Sequence, residues 1–228
     1  MRQIAKIFLC SAITGLLIGC ASTEEQVTKI LDETPQVPRN SNYKDIVQYP
    51  GNVTCGRYLT TDYQGFPMYQ DFVVVDTVAN LKPLKMDVIV YCSENPGAAL
   101  DSELSIDYES QKLQIDSILN DFRLLAQPLE AYIRDNPSFP WTEQGLQALV
   151  EPATTGNSPR RFPKGGYIDA IPTDPWGREY DYVCEPFAGV LIPYKIQSLG
   201  ADGVEGGTGE NADIKHTYLP YFDHVNQL

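Results

Sequence analysis

Ser198-Leu-Gly-Ala-Asp-Gly-Val-Glu-Gly-Gly-Thr-Gly-Glu-Asn-Ala-Asp-Ile214 is the stretch from which the rest of the chain is read. Gly200, Gly203, Gly206, Gly207 and Gly209 give the backbone access to positive φ, a freedom lost at about 1–2 kcal/mol per ordered residue. Packing offers little to offset that cost, because Leu199, Val204 and Ile214 are the only sizeable apolar side chains in the run. Hard oxygen atoms are plentiful instead, on Asp202, Glu205, Glu210, Asn211 and Asp213. Calcium takes roughly six to eight such oxygens, carbonyls included, so the stretch reads as a calcium loop. The competing reading is a solvated acidic turn, since Gly, Asp and Asn cluster in ordinary loops. The EF-hand series of alternating Asp/Asn with a distal Glu is absent. Gly206–Ile214 loosely matches one calcium-binding nonapeptide, but a solenoid needs about three or more copies and one is present.

Working outward, two earlier blocks share the register of this loop. They are Phe139-Pro-Trp-Thr-Glu-Gln-Gly-Leu-Gln-Ala-Leu-Val-Glu-Pro152 and Pro163-Lys-Gly-Gly-Tyr-Ile-Asp-Ala-Ile-Pro-Thr-Asp-Pro-Trp-Gly-Arg-Glu-Tyr180. Together with the Ser-Leu-Gly-Ala-Asp-Gly run, and in the same order and spacing, they resemble the periplasmic domain of the major pseudopilin (protein G) of type II secretion systems. The resemblance spans Leu113 to Lys215. It implies an α+β fold with a long N-terminal helix on a small antiparallel sheet. It also implies a calcium ion held by the side chains of Asp202, Asn211 and Asp213 and by carbonyls near Leu199 and Val204. Asn211 stands where the family more often has Asp, which removes one negative charge from the set.

The amino terminus departs from that family. Arg2 and Lys6 precede the apolar run Ile7–Ile18, which is too short to cross a bilayer and reads, over Met1–Gly19, as a signal peptide. Leu17-Ile18-Gly19-Cys20 resembles a bacterial lipobox, in which cleavage leaves Cys20 acylated; the alternative is an ordinary signal with an accidental cysteine. Ala21, rather than Asp, after the cysteine favours the outer membrane over the inner. A pseudopilin leader would instead carry a prepilin-peptidase site and a continuous hydrophobic helix, so filament assembly is not expected. Residues 20–49 are polar, contain Pro35 and Pro38, and read as a flexible tether.

Residues 50–102 form a β-rich region without a counterpart in the family. Asn52–Thr60, Met68–Thr77 and Lys85–Ser93 are rich in Val, Tyr, Phe and Thr, and are separated by turn-forming Asp62–Gly65 and Asn80–Pro83, which predicts a three-stranded meander. Cys55 and Cys92 then face one interior. In an exported protein that favours a Cys55–Cys92 disulfide, with Cys184 left over, although three mature cysteines permit three pairings.

Residues 103–215 carry the pseudopilin-like domain. From Glu109 to Asn136, Ile115, Ile118, Leu119, Phe122, Leu125, Leu129 and Tyr132 recur at three- and four-residue spacing, predicting a long amphipathic helix that Pro128 should kink or break near Leu124–Gln127. Thr142–Glu151 reads as a short helix capped by Thr142. Arg178–Glu185 and Gly189–Ser198 read as two strands joined at Pro186–Gly189. Trp176, Tyr180 and Tyr182 are expected in the core or at its rim. Arg160, Arg161 and Lys164 form a basic cluster, either a solvated turn or a docking face. The tail, residues 216–228, holds His216 and His224, whose spacing is not a zinc signature, so both are expected exposed.

Net charge excludes nucleic acid as a partner. With Arg2 and Lys6 lost with the leader, 15 basic residues face 30 acidic ones, a net of −15. No nucleophile elbow, His-Glu-x-x-His helix or Walker loop occurs, so neither an enzyme nor a small-molecule substrate is expected. Two main readings stand, with a third and weaker one, an envelope enzyme whose site lies in the β-rich region. One is a calcium-stabilised module, lipid-anchored in the envelope and facing the periplasm, that docks on secretion machinery or an exported protein. The other is a structural or surface lipoprotein that keeps the fold without a secretion role.

Overall fold

A computed structural model describes residues 22–156, 158–185 and 194–228. The signal peptide, Cys20 and the Pro186–Gly189 turn lie outside the described residues.

The organising element is α4, Tyr108–Asp135, begun by Asp107, whose carboxylate accepts from the Ser110 N–H at 3.2 Å. Ile115, Ile118, Leu119, Phe122, Leu125, Leu129 and Tyr132 are buried along one stripe. Pro128 does not break the helix. The missing hydrogen bond costs about 3 kcal/mol, but seven buried side chains at about 1.5–3 kcal/mol each outweigh it.

Against that stripe lies an antiparallel sheet of β5 (Asp181–Val183), β6 (Lys195–Ser198) and β7 (Ile214–Lys215), with Tyr182 paired to Ile196 and Ser198 to Ile214. The first predicted strand is shorter than expected; of the second, residues 189–193 lie outside the described residues. Tyr180 and Tyr182 are buried as expected: Tyr180 packs on Phe122 and donates to Asp121 at 2.6 Å, and Tyr182 donates to the Pro140 carbonyl at 2.8 Å. The α+β arrangement of a long helix on a small antiparallel sheet is therefore present.

The region before α4 differs from expectation in two places. Of the segment expected to be a tether, residues 22–49 are described and are ordered: α1 spans Thr23–Asp32, closed at Ser22 by a reciprocal capping box with Glu25, and β1 spans Tyr43–Tyr49. Val27 and Leu31, one turn apart, are buried against Val37, Tyr58, Phe72 and Val74. Val27, Ile30 and Leu31 fall at helical spacing but cover barely one turn, too short a run to stand out as a period, and packing rather than propensity holds so short a helix.

β1 joins β2 (Val53–Thr61), β3 (Pro67–Val75) and β4 (Val78–Asn80) in a four-stranded antiparallel sheet in chain order. At Gly56 a Cβ would meet the Phe72 ring at 2.7 Å, so only glycine lets that ring lie over the strand.

The second correction is Lys85–Ser93, which is helical: α2 spans Lys85–Tyr91. Its β-branched residues favoured a strand, but the Leu84 N–H bonds the Asp87 carboxylate at 2.7 Å, as at a helix start, and Val90 is fully buried beside α4. α3, Pro96–Leu104, follows and ends at Ser105 with φ 56°. Cys92 caps α2 rather than sitting on a strand, yet it forms a disulfide with Cys55, Cα–Cα 5.9 Å. That bond joins the sheet to α2, which is itself packed in the main core.

Two further expectations fail. The predicted Thr142–Glu151 helix is only a turn of 3-10 helix, Leu146–Leu149, because Thr142 is engaged elsewhere. Its hydroxyl accepts from the Cys184 N–H at 2.9 Å and donates to Glu185 at 3.0 Å, tying this loop to the end of β5. Residues 216–228 are not a free tail: α5, Leu219–Asn226, buries Tyr221 and Phe222 in the main core, and His224 is buried while His216 is half-buried.

Candidate metal loop

β6 delivers the chain into the glycine-rich loop at Ser198, which is buried and donates to Asp174 Oδ2 at 3.0 Å. Asp174 is itself buried, and its Oδ1 accepts from the N–H groups of Trp176 and Arg178 at 3.1 and 2.8 Å. That turn aims the Arg178 guanidinium beneath the loop, where it donates to the carbonyls of Gly200, at 2.9 Å, and Ala201. Gly203 lies directly over it, with a built Cβ only 2.7 Å from Arg178 Nε.

The far arm of the loop closes on the near one. Ala201 N–H donates to the Glu210 carbonyl at 2.7 Å, and a Cβ on Gly207 would meet the Asn211 carbonyl oxygen at 2.4 Å. Gly207 also has φ 91°, so both space and backbone conformation require glycine there. Gly209 N–H donates to the Ser105 carbonyl at 2.7 Å, fastening the loop to the corner where α3 gives way to α4.

Of the residues expected to hold calcium, Asp202 is exposed and its Oδ1 accepts from the Val204 N–H at 3.0 Å. Asp213 Oδ2 accepts from the Gly206 N–H at 3.0 Å. Its other oxygen, Oδ1, is buried with no hydrogen-bond partner. An orphaned buried carboxylate oxygen is costly, and a divalent cation is one way to satisfy it. Asn211 and Val204 are exposed and Leu199 is half-buried on the same loop. The donor set is two carboxylates, one amide and two carbonyls, all oxygen, which suits calcium rather than zinc. Among the described residues no group of three or more His, Cys, Asp or Glu is placed to hold a metal, so the fit depends on amide and backbone oxygens.

The sequence reading missed Arg178, Asp174 and Ser198. Trp176-Gly-Arg178 offered a hint, as a basic residue beside a turn in a chain whose other long loop is acidic, but sequence does not show which loop it reaches. The histidines are structural: His216 Nδ1 accepts from the Ile196 N–H at 3.1 Å, and the His224 ring stands edge-on to Tyr91 at 4.9 Å. Burial holds both imidazoles below their ordinary pKa. Arg160, Arg161 and Lys164 are exposed, with Arg161 4.0 Å from Asp135.

The family model for type II secretion system protein G matches residues 108–217, from the first residue of α4 to the turn before α5. The type II secretion system core protein G of Pseudomonas aeruginosa is 43% identical over 94 residues, covering 41% of this chain and 64% of that protein. That of Vibrio cholerae is 40% identical over 104 residues, covering 46% of this chain and 68% of that protein. The chain belongs to the type II secretion system protein G family. It spans about two thirds of the length of these protein G relatives. A crystal structure of the major pseudopilin of enterohaemorrhagic Escherichia coli also matches, at 35% identity and a TM-score of 0.42, over 49% of this chain and 88% of its own. The calcium-loop candidate lies inside the protein G segment, whereas the four-stranded sheet, α1–α3 and α5 lie outside it.

Proposed function

We propose that this protein G family member is a lipid-anchored, calcium-stabilised, non-enzymatic component of the cell envelope that acts in or beside type II secretion by binding a partner. The observation that carries the reading is the start of α4. The helix opens at a capped residue, Asp107, directly after α3 has ended in the left-handed conformation at Ser105. The preceding residues fold into a sheet unit joined to α2 by the Cys55–Cys92 bond. An end covered in this way favours contact through a folded surface over packing of one bare helix along another. No helix among the described residues is long and apolar enough to cross a membrane, and the lipobox-like Leu17–Cys20 supports attachment by acyl chains on Cys20, facing the periplasm, with Ala21 favouring the outer membrane.

In the loop, Asp202, Asn211 and Asp213, with carbonyls near Leu199 and Val204, would hold calcium. The ion's chemistry there is structural: it gathers oxygens that otherwise repel. Arg178 and the Ala201–Glu210 bond hold the two arms in place around it.

The test of the secretion role is affinity capture from solubilised envelopes after in-cell cross-linking. Recovery of type II secretion components with the wild-type chain supports the proposal. Their consistent absence, together with unaltered release of secreted enzymes on deletion, would overturn it.

A further inference from the structure

Because α1 starts at Thr23, little chain separates Cys20 from the folded body. Ser22 caps the helix, and Thr23 Oγ1 donates to Gln48 at 3.3 Å, which sets the start of α1 beside the end of β1. The same end of the sheet carries two turns. Tyr49 pairs with Val53, Val53 with Val75 and Val75 with Val78, so residues 50–52 and 76–77 reverse direction there, joined by the Asp76 N–H to the Asn52 carbonyl at 3.0 Å. Leu228 reaches this end too, since a Cβ on Gly51 would lie 3.0 Å from its Cδ2. Val78 is 71% exposed and Leu228 56% exposed. At the other end of β2 and β3 the hairpin carries Tyr63, 95% exposed, and Phe66, 64% exposed. Strands of this length separate the two ends by roughly 25 Å.

We propose that the end formed by the start of α1, the 50–52 and 76–78 turns and Leu228 rests on the bilayer that anchors Cys20, and that the Tyr63–Phe66 tip is held away from it. The inference rests on the lipid-anchor reading above. Its occupant is the lipid surface, and the reason is reach. Only Ala21 lies between Cys20 and Ser22, a span of at most about 7 Å, so an acylated Cys20 at the headgroup level draws the start of α1 with it. The contact is imposed by the short link rather than by affinity: Glu24, Glu25 and Asp76 place negative charge at this end, and anionic headgroups repel it. A long tether would have left the body free to present any face.

The test uses the acylated full chain, reconstituted in vesicles of phosphatidylethanolamine and phosphatidylglycerol with and without a nitroxide on the headgroups, which quenches tryptophan lying at the bilayer surface. Val78→Trp and Tyr63→Trp change exposed positions and add one fluorophore each to the constant background of Trp141 and Trp176. The added emission of Val78→Trp is expected to be quenched by the headgroup nitroxide and that of Tyr63→Trp left unchanged. Quenching at Tyr63→Trp, or at neither position in protein whose intact mass carries acyl chains, overturns the orientation while leaving the anchor standing. A mass without acyl chains overturns the anchor and this inference together. Inserting about ten Gly/Ser residues between Ala21 and Ser22 should abolish the Val78→Trp quenching with acylation intact; quenching that persists would show an affinity of the surface itself and overturn the role given to the short link.

Discussion

At the level of single residues, Asp213 and Arg178 are the two ends of one question: what holds a glycine-rich acidic loop in place. Asp213 presents a buried oxygen with no partner, and Arg178 presents a guanidinium that already bonds two loop carbonyls. If calcium is the missing partner, chelation lowers the melting temperature and exposes Gly203–Gly209 to protease. Asp213→Ala, and Asp202→Ala with it, should remove the response to added calcium. At a free ion concentration of about a hundred times Kd the lost stabilisation is about 2.7 kcal/mol. Melting curves that superimpose with and without chelator would leave the loop to its protein-made bonds. Arg178→Ala has its own signature: the loss of charge-assisted bonds should cost about 1.5–3 kcal/mol in urea unfolding, with or without calcium. The glycines and oxygen-bearing side chains of this loop were legible in sequence because composition is local. Arg178 was not, because it lies more than twenty residues before the carbonyls it bonds.

Among the elements, α4 shows pattern prevailing over a local exception, and α2 shows the reverse. Seven stripe positions of α4 outweigh one proline, so the helix continues through Pro128. In Lys85–Tyr91 the β-branched composition pointed to a strand, but Pro83, Asp87 and the burial of Val90 decide for helix, a choice that depends on which neighbour receives Val90. The disulfide survived that misreading because two cysteines on adjoining elements need only proximity, whichever element carries them. It crosses between the sheet and α2 and closes 37 residues of chain, so replacing both Cys55 and Cys92 with Ser should cost about 2–4 kcal/mol. Denaturant titration of the double variant beside the oxidised and reduced wild type measures this. A reduced wild type as stable as the oxidised protein would show that packing alone joins the sheet to the core.

For the whole molecule, two imidazoles, one of them at the junction between the four-stranded sheet and the protein G domain, set the expected response to pH. His224 of α5 sits under the 50–52 turn with its Nε2 buried and unbonded, beside Tyr91 and near Asp76, while His216 lies against β6. Burial lowers the pKa of both imidazoles in the folded state. As pH falls below about 6.5 the unfolded chain takes up these protons first. Stability present at neutral pH is therefore lost progressively in acid, until the folded-state pKa is passed. The melting temperature should drop as pH falls from about 6.5 toward 5, and His224→Phe should flatten that slope; an unchanged slope would place the titration elsewhere. By itself the sequence determined the long amphipathic helix, the glycines and oxygen-bearing side chains of the loop and the kinship of residues 113–215, because each is written in local spacing or in residue types, and it favoured one cysteine pairing of three without deciding it. Only the tertiary structure decided that residues 23–49 and 216–228 are ordered, that Lys85–Tyr91 is helical and that Arg178 underlies the loop. Those outcomes turn on burial against partners distant in the chain, and short segments draw their stability from such partners rather than from their own composition.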